Sequence, residues 1–274
     1  MRTVLKRLIA QQVRGVFNDR ATGERPVLRH GDGLFGPGSV TWRVHGDVTT
    51  MMVGGITALL MQMLHPAVLA GVWDHSNFRA DMHGRLRRTA RFIAVTTYGS
   101  RTEAEASIAR VRAVHARVSG TMRDGRPYSA TDSELLAWVH ATETLSFLAS
   151  WMRYGDPAMS RADQDRYFAE TAQVARGLGA DPVPTTRAAM LDQVARTRAQ
   201  LRADDRTREV ARLVLTPTAP GLHAVPFEFV KQAAVDLLPP WARRMHGFGG
   251  LGVSRPLVEG GTAALARTVR WALG

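Results

Sequence analysis

Cysteine is absent from all 274 residues. That excludes disulfides, thiol nucleophiles, zinc–thiolate centres and iron–sulfur clusters. Lysine is nearly absent as well: of 36 basic residues only Lys6 and Lys231 are lysine, which leaves 34 arginines. The N-terminal segment lacks the uninterrupted apolar stretch of a secretory signal. Arg2, Lys6, Arg7 and Arg14 break up residues Met1 to Phe17. The segment reads instead as an amphipathic helix with Val4, Leu5, Leu8, Ile9 and Val13 on one side, expected to dock on the domain, with a membrane surface as the second use. No GxxxxGK[ST], HExxH or GxSxG string occurs, and no 20–50-residue repeat is visible.

What is present is the composition of a folded protein: 45% apolar and 22% charged residues. A chain of this length buries a sizeable core, and with no low-complexity linker residues 1–274 read as a single domain. The net charge of +12 favours an anionic partner: nucleic acid, anionic lipid or a bound carboxylate. The arginines spread over the whole chain, so they read first as solvated helix faces. A nucleic-acid binder would need a compact helix-turn-helix with an exposed recognition helix, and no clear example is found, so no specific nucleic-acid partner is expected.

Helical periodicity dominates. Val48 to Trp73 runs 26 positions without a charged residue. By length it could span a bilayer, but Thr49, Thr50, Gln62, His65 and Pro66 favour a buried central helix of a bundle. Further helices are expected over Arg85–Tyr98, Thr102–Val118, Thr131–Tyr154 and Arg161–Leu178, the last opened by a capping-box-like Ser160 and Asp163. Arg187–Leu215, Pro226–Leu238 and a short helix ending at Trp271 follow. Only Gly38–His45 has strand character. The expectation is an all-α single bundle around a buried apolar central helix.

Gly247-Phe248-Gly249-Gly250-Leu251-Gly252 satisfies GxGxxG as a string, but no strand precedes it, so a dinucleotide site is not expected. No paired Glu-x-x-His steps are present for a carboxylate-bridged metal centre; His140-Ala141-Thr142-Glu143 comes nearest. His115 is expected mid-helix, on the side bearing Val111 and Val118. It reads either as a core residue or as a lone haem ligand, because a porphyrin supplies the iron's other four nitrogens. Arg85 and Thr89 stand at i and i+4 and share a face. With Arg87, Arg88 and Arg91 they form either a solvated basic face or, through Arg85, a guanidinium partner for an anionic cofactor group.

His65-Pro66-Ala67-Val68-Leu69-Ala70-Gly71-Val72, His75-Ser76-Asn77-Phe78, Arg85-Leu86-Arg87-Arg88-Thr89 and His115-Ala116-Arg117-Val118-Ser119-Gly120 together resemble the MpaB-type oxygenase family, which includes the latex-clearing rubber oxygenases. Tyr128 to Asp132, Leu135 to Ala141, and Leu237-Leu238-Pro239 with Arg243-Arg244 also fit, so the resemblance runs from about His30 to Gly252. It implies one haem b deep in an all-α domain, with His115 as the proximal iron ligand and Arg85 and Thr89 in the pocket. His65 is the alternative ligand. The absence of Cys-x-x-Cys-His implies that such a haem is held non-covalently. Arg88 stands where the rubber-oxygenase branch carries a lysine able to occupy the distal iron site, and a guanidinium is a poor ligand. Val48–Trp73 also has no acid to match that branch's buried acidic residue. The expectation is therefore a haem-dependent oxidoreductase, cytoplasmic or membrane-peripheral. It would use dioxygen or peroxide on an apolar small molecule other than polyisoprene; a non-catalytic haem protein is the alternative.

Overall fold

The computed structural model describes residues 2–3, 6–7, 26–216, 224–250 and 254–273. The described residues form twelve α-helices and one two-stranded hairpin, so the protein is all-α. Most of the amphipathic helix expected over residues 1–17, and part of the glycine-rich string at 247–252, lie outside the described residues.

Helices α1 (Val40–His45), α2 (Val48–Gln62) and α3 (Pro66–His75) lead the described chain. The strand character of Gly38–His45 is overridden. Ser39 caps α1 by accepting from the Trp42 amide, and the Glu170 carboxylate accepts from the Thr41 amide and hydroxyl, each at 2.8 Å. With its first amides satisfied in this way, the β-branched segment closes into a helix. The 26-residue apolar run is likewise not one helix. It breaks at Met63–His65 and turns by 104° into α3, whose first residue is Pro66. Proline is well placed at that first position and disfavours helix just before it. No single described helix is long and apolar enough to cross a membrane; the bent α2–α3 pair passes by length and composition alone.

Helices α4 (Met82–Tyr98) and α5 (Arg101–His115) form a hairpin, and the short strands β1 (Ser119–Thr121) and β2 (Pro127–Ser129) pair antiparallel with Gly120 opposite Tyr128. The chain continues through α6 (Ser133–Tyr154), α7 (Arg161–Leu178), α8 (Arg187–Thr197), α9 (Asp205–Leu215), α10 (Ala224–Leu237), α11 (Pro240–Met245) and α12 (Arg255–Leu273). The expected helix over Arg187–Leu215 is thus two helices joined through a 3-10 turn at Arg198–Gln200.

The centre is the pair α2 and α6, which run antiparallel: Gly54 meets Phe147, and the Gln62 side chain donates to the Val139 carbonyl at 3.3 Å. Gly54 has to be glycine, because a Cβ there would stand 2.8 Å from the Phe147 ring and 2.9 Å from its Cα. α10 and α12 cover one side of this pair, and α7 and α8 pack on α6. α4 packs chiefly on α5 and α1, with Met82 and Ile93 reaching the core. Trp138, Tyr167, Phe168 and Phe78 are wholly buried, and burial of such rings dominates the stability of a core.

Candidate functional site

The α4–α5 hairpin sets the geometry of one end of the molecule. Asp81 caps α4 by accepting from the Gly84 amide at 2.7 Å, a bond that holds its carboxyl below the usual range. Gly99 and Ser100 make the turn, and Ser100 with Glu103 closes a capping box on α5. Only two residues separate the helices, and they pack on each other. At 1.5 Å per residue, Arg85 and His115 each lie about 22 Å from the turn. Contacts bring both to the same region: Arg85 bonds Ser76, and the neighbouring His75 bonds Ser119, four residues after His115.

His115 is the last residue of α5, not a mid-helix residue as expected. It is half-buried, its Nδ1 is buried without a hydrogen-bond partner, and burial lowers its pKa. Burial thus favours the neutral ring, and among the described residues Nδ1 is committed to no neighbour. Arg85 is half-buried and donates to the Ser76 hydroxyl at 2.8 Å. Among the described residues it pairs with no carboxylate, and desolvation and then Arg88 lower its pKa. A desolvated guanidinium bonded only to a hydroxyl is electrostatically unbalanced and favours an anion.

This end is pinned from outside. The His75 ring donates to the Ser119 carbonyl at 3.0 Å, Tyr128 donates to Asp74 at 2.7 Å, and the Val118 amide returns to the His115 carbonyl. Gly120 makes room for Tyr128, whose hydroxyl would lie 2.7 Å from a Cβ there. Arg88 and Thr89 behave differently. Arg88 is exposed and pairs at 3.4 Å with Asp81, while Thr89 is exposed and donates back to the Arg85 carbonyl. Sharing a face with Arg85 in sequence does not bring Thr89 indoors.

His65 caps the opposite end of α3, about 15 Å along a ten-residue helix from His75. Its ring is buried, leans on Trp138 and donates to Gln200 Oε1 at 3.1 Å. It lines a cleft of about 320 Å³ with Met122, Tyr128, Leu135 and Gln200. Arg85 and His115 thus belong to the ends of α4 and α5 away from their turn, while His65 stands at the opposite end of α3 from His75.

A second group of titratable side chains lies deeper, and its assembly was not read from the sequence. His45 on α1 is hydrogen-bonded at 2.9 Å to both Thr97 of α4 and Tyr167 of α7. Burial lowers its pKa to about 3 and raises that of Tyr167 well above the ordinary value. Glu143 on α6 has no hydrogen-bond partner among the described residues; desolvation pushes it up to about 7, and its charge also raises Tyr167. His140, one turn earlier, is lowered to about 4 by burial and by Arg176, and its Nε2 is unpartnered. Glu143 and His45 are strongly desolvated yet each keeps some accessible surface. Met52, Gly55, Leu59 and Gln62, on one face of α2, stay half-buried in the same way, and Gln62 joins them to Val139 of α6. The only hint in the sequence was the His140–Glu143 spacing.

The fold defines the protein as an all-α helical domain. Among the described residues no three His, Asp or Glu gather to hold a bare metal ion. The chain belongs to the oxygenase family described as ER-bound oxygenase mpaB/B′/rubber oxygenase, catalytic domain, whose family model matches residues 42–271. No curated protein and no solved structure matches it. By family, then, the domain is an oxygenase catalytic domain.

Proposed function

We propose that the protein is a haem b-dependent oxygenase acting on an apolar small molecule, with His115 as the iron ligand and Arg85 as the partner of a propionate. The observation that carries this reading is the buried, unpartnered His115 Nδ1 together with a desolvated Arg85 that pairs with no carboxylate among the described residues. Haem, when bound, supplies a redox-active iron for chemistry with dioxygen or peroxide. His115 meets the requirement of a metal ligand, since burial favours the neutral imidazole and its Nδ1 has no partner among the described residues. Arg85 brings a desolvated positive charge suited to a carboxylate. Met52, Leu59 and Val139 stay half-buried against the core and offer apolar surface suited to an apolar substrate. Arg88 and Thr89, on the exposed face of α4, carry no role in this reading.

The test is the absorption spectrum of protein purified after expression with ample haem precursor. A Soret band is expected that acid–butanone extraction removes, and His115→Ala is expected to lose it while His65→Ala and His140→Ala keep most of it. Colourless wild-type protein refutes the reading, and full retention of haem by His115→Ala refutes the ligand.

A further inference from the structure

The cleft beside His65 lies at the other end of α3 from His75, and the oxygenase reading leaves it unused. Its volume of about 320 Å³ falls at the lower end of the range for small-molecule pockets. The floor is buried: His65, Ala67 and Tyr128 are 6–7% exposed. Ala67 and Tyr128 pack there with Met122 and Leu135 in an apolar cluster of their own. Arg126, Asp132, Glu134 and Gln200 form an exposed rim. The polar groups of this lining are almost all acceptors. His65 donates through Nε2 to Gln200 Oε1, so its buried Nδ1 is an acceptor without a partner. The Tyr128 hydroxyl donates to Asp74 and the Thr197 hydroxyl to the Gln193 carbonyl, which leaves both oxygens able only to accept. Asp132 receives the Glu134 and Leu135 amides on one carboxylate oxygen and keeps the other. The one arginine of the rim, Arg126, is bound to Asp124 at 2.7 and 2.9 Å. In a chain with a net charge of +12, Asp132 and Glu134 thus stand side by side with no ion pair among the described residues.

We infer that this cleft is a binding site for a primary ammonium group carried on a small apolar body, with Asp132 and Glu134 meeting the charge and His65 Nδ1 accepting one of the hydrogens. The match is one of donors to acceptors. An ammonium has three donors and no lone pair, which is the complement of this lining. A buried acceptor left unmade costs free energy that a donor recovers. Desolvation, the largest influence on His65, keeps its ring in the neutral, accepting form, and the charges of Asp132 and Arg126 both reach it. A neutral hydroxyl supplies one donor but leaves the two carboxylates uncompensated. A carboxylate or phosphate would meet two negative charges, with Arg126 already engaged. A bare metal ion is served less well, since no three His, Asp or Glu among the described residues gather to hold one. The apolar body has Met122, Leu135 and the Tyr128 ring to rest on. The site stands apart from His115 and Arg85, so the inference does not rest on the haem reading.

The test titrates the purified full chain at pH 7 with 2-phenylethylamine, 2-phenylethanol and 3-phenylpropanoate by isothermal calorimetry. The three are close in shape and differ in charge. The amine is expected to bind about tenfold or more tighter than either of the others, and to weaken as salt is raised. Asp132→Asn combined with Glu134→Gln is expected to bring the amine-to-alcohol ratio close to one; asparagine caps a helix as well as aspartate does, so α6 keeps its start. His65→Phe keeps a ring and removes the acceptor, and is expected to weaken amine and alcohol alike, by about fivefold. Circular dichroism checks that the variants are folded, and if His65→Phe is not, the double variant of the exposed rim decides alone. Equal binding of amine and alcohol, tightest binding of the propanoate, no binding of any of the three at millimolar concentration, or an amine preference that survives the double variant overturns the inference. The readout is binding and needs no haem, so a missing Soret band refutes the haem reading without deciding this result.

Discussion

Replacing Glu143 by glutamine tests directly whether this carboxyl is an uncompensated buried acid. Its pKa is about 7 in the folded protein, against 4.5 for an ordinary glutamate, and the cause is desolvation. A raised carboxyl pKa means that ionisation opposes folding. Below pH 4.5 the group is neutral in both states and contributes no penalty. As pH rises through 7 the folded protein must ionise it, and the penalty reaches about 3 kcal/mol. Glu143→Gln removes that penalty and retains the shape. The variant should therefore match the wild type near pH 4.5 and exceed its stability at pH 8 by up to about 3 kcal/mol, or several degrees in Tm. His45 and His140 titrate in the opposite sense. Their depressed pKa values of about 3 and 4 contribute stability above pH 6.5 that is lost on acidification. Both histidines are present in either protein, so their effect cancels in the difference. Urea unfolding followed by circular dichroism at several pH values is the assay. A difference that does not change with pH, or one that favours the wild type at pH 8, refutes the argument.

Three further outcomes are expected. Arg85→Ala should weaken haem retention and shift the visible spectrum, whereas Arg187→Ala, on α8, should change neither; equal effects would remove Arg85 from the propionate role. Gly54→Ala should destabilise the protein by about 1–3 kcal/mol in thermal melts, because the added methyl meets Phe147 backbone and ring together. Asp236→Ala should cost about 3 kcal/mol in urea unfolding, since a carboxylate only 6% exposed sits within 3.3 Å of Arg153, Arg243 and Arg255.

Local signals in the chain were legible where they act alone. α7 follows its expected bounds, Arg161–Leu178, because Ser160 caps one end and Gly179, with φ 101°, closes the other. The order of helices around a buried apolar centre was legible for the same reason. What failed depended on partners remote in sequence. Val40, Thr41 and Val44 look like strand residues, and only the Glu170 carboxylate, 129 residues from Thr41, shows why they form a helix. Pro66 marked the break in the apolar run, but the direction of the turn is a packing result. At the site, periodicity put Arg85 and Thr89 on one face, yet burial divides them. The His45–Thr97–Tyr167–Glu143 group joins four helices, and no spacing rule connects residues so far apart.

The hairpin that carries Arg85 and His115 works as a vernier. Adding one residue to α5 advances His115 by about 1.5 Å and swings it about 100° around the helix, away from its partner. Adding four restores the face but displaces the ring by about 6 Å. The site's spacing is therefore a matter of residue count between Gly99 and His115 more than of residue identity. Arg101, Thr102, Glu105, Ala106, Ala109 and Arg110 are exposed along that stretch. Their side chains are free to drift, but an insertion or deletion among them would move the imidazole relative to the guanidinium and turn the buried Ala104 or Ile108 off the core.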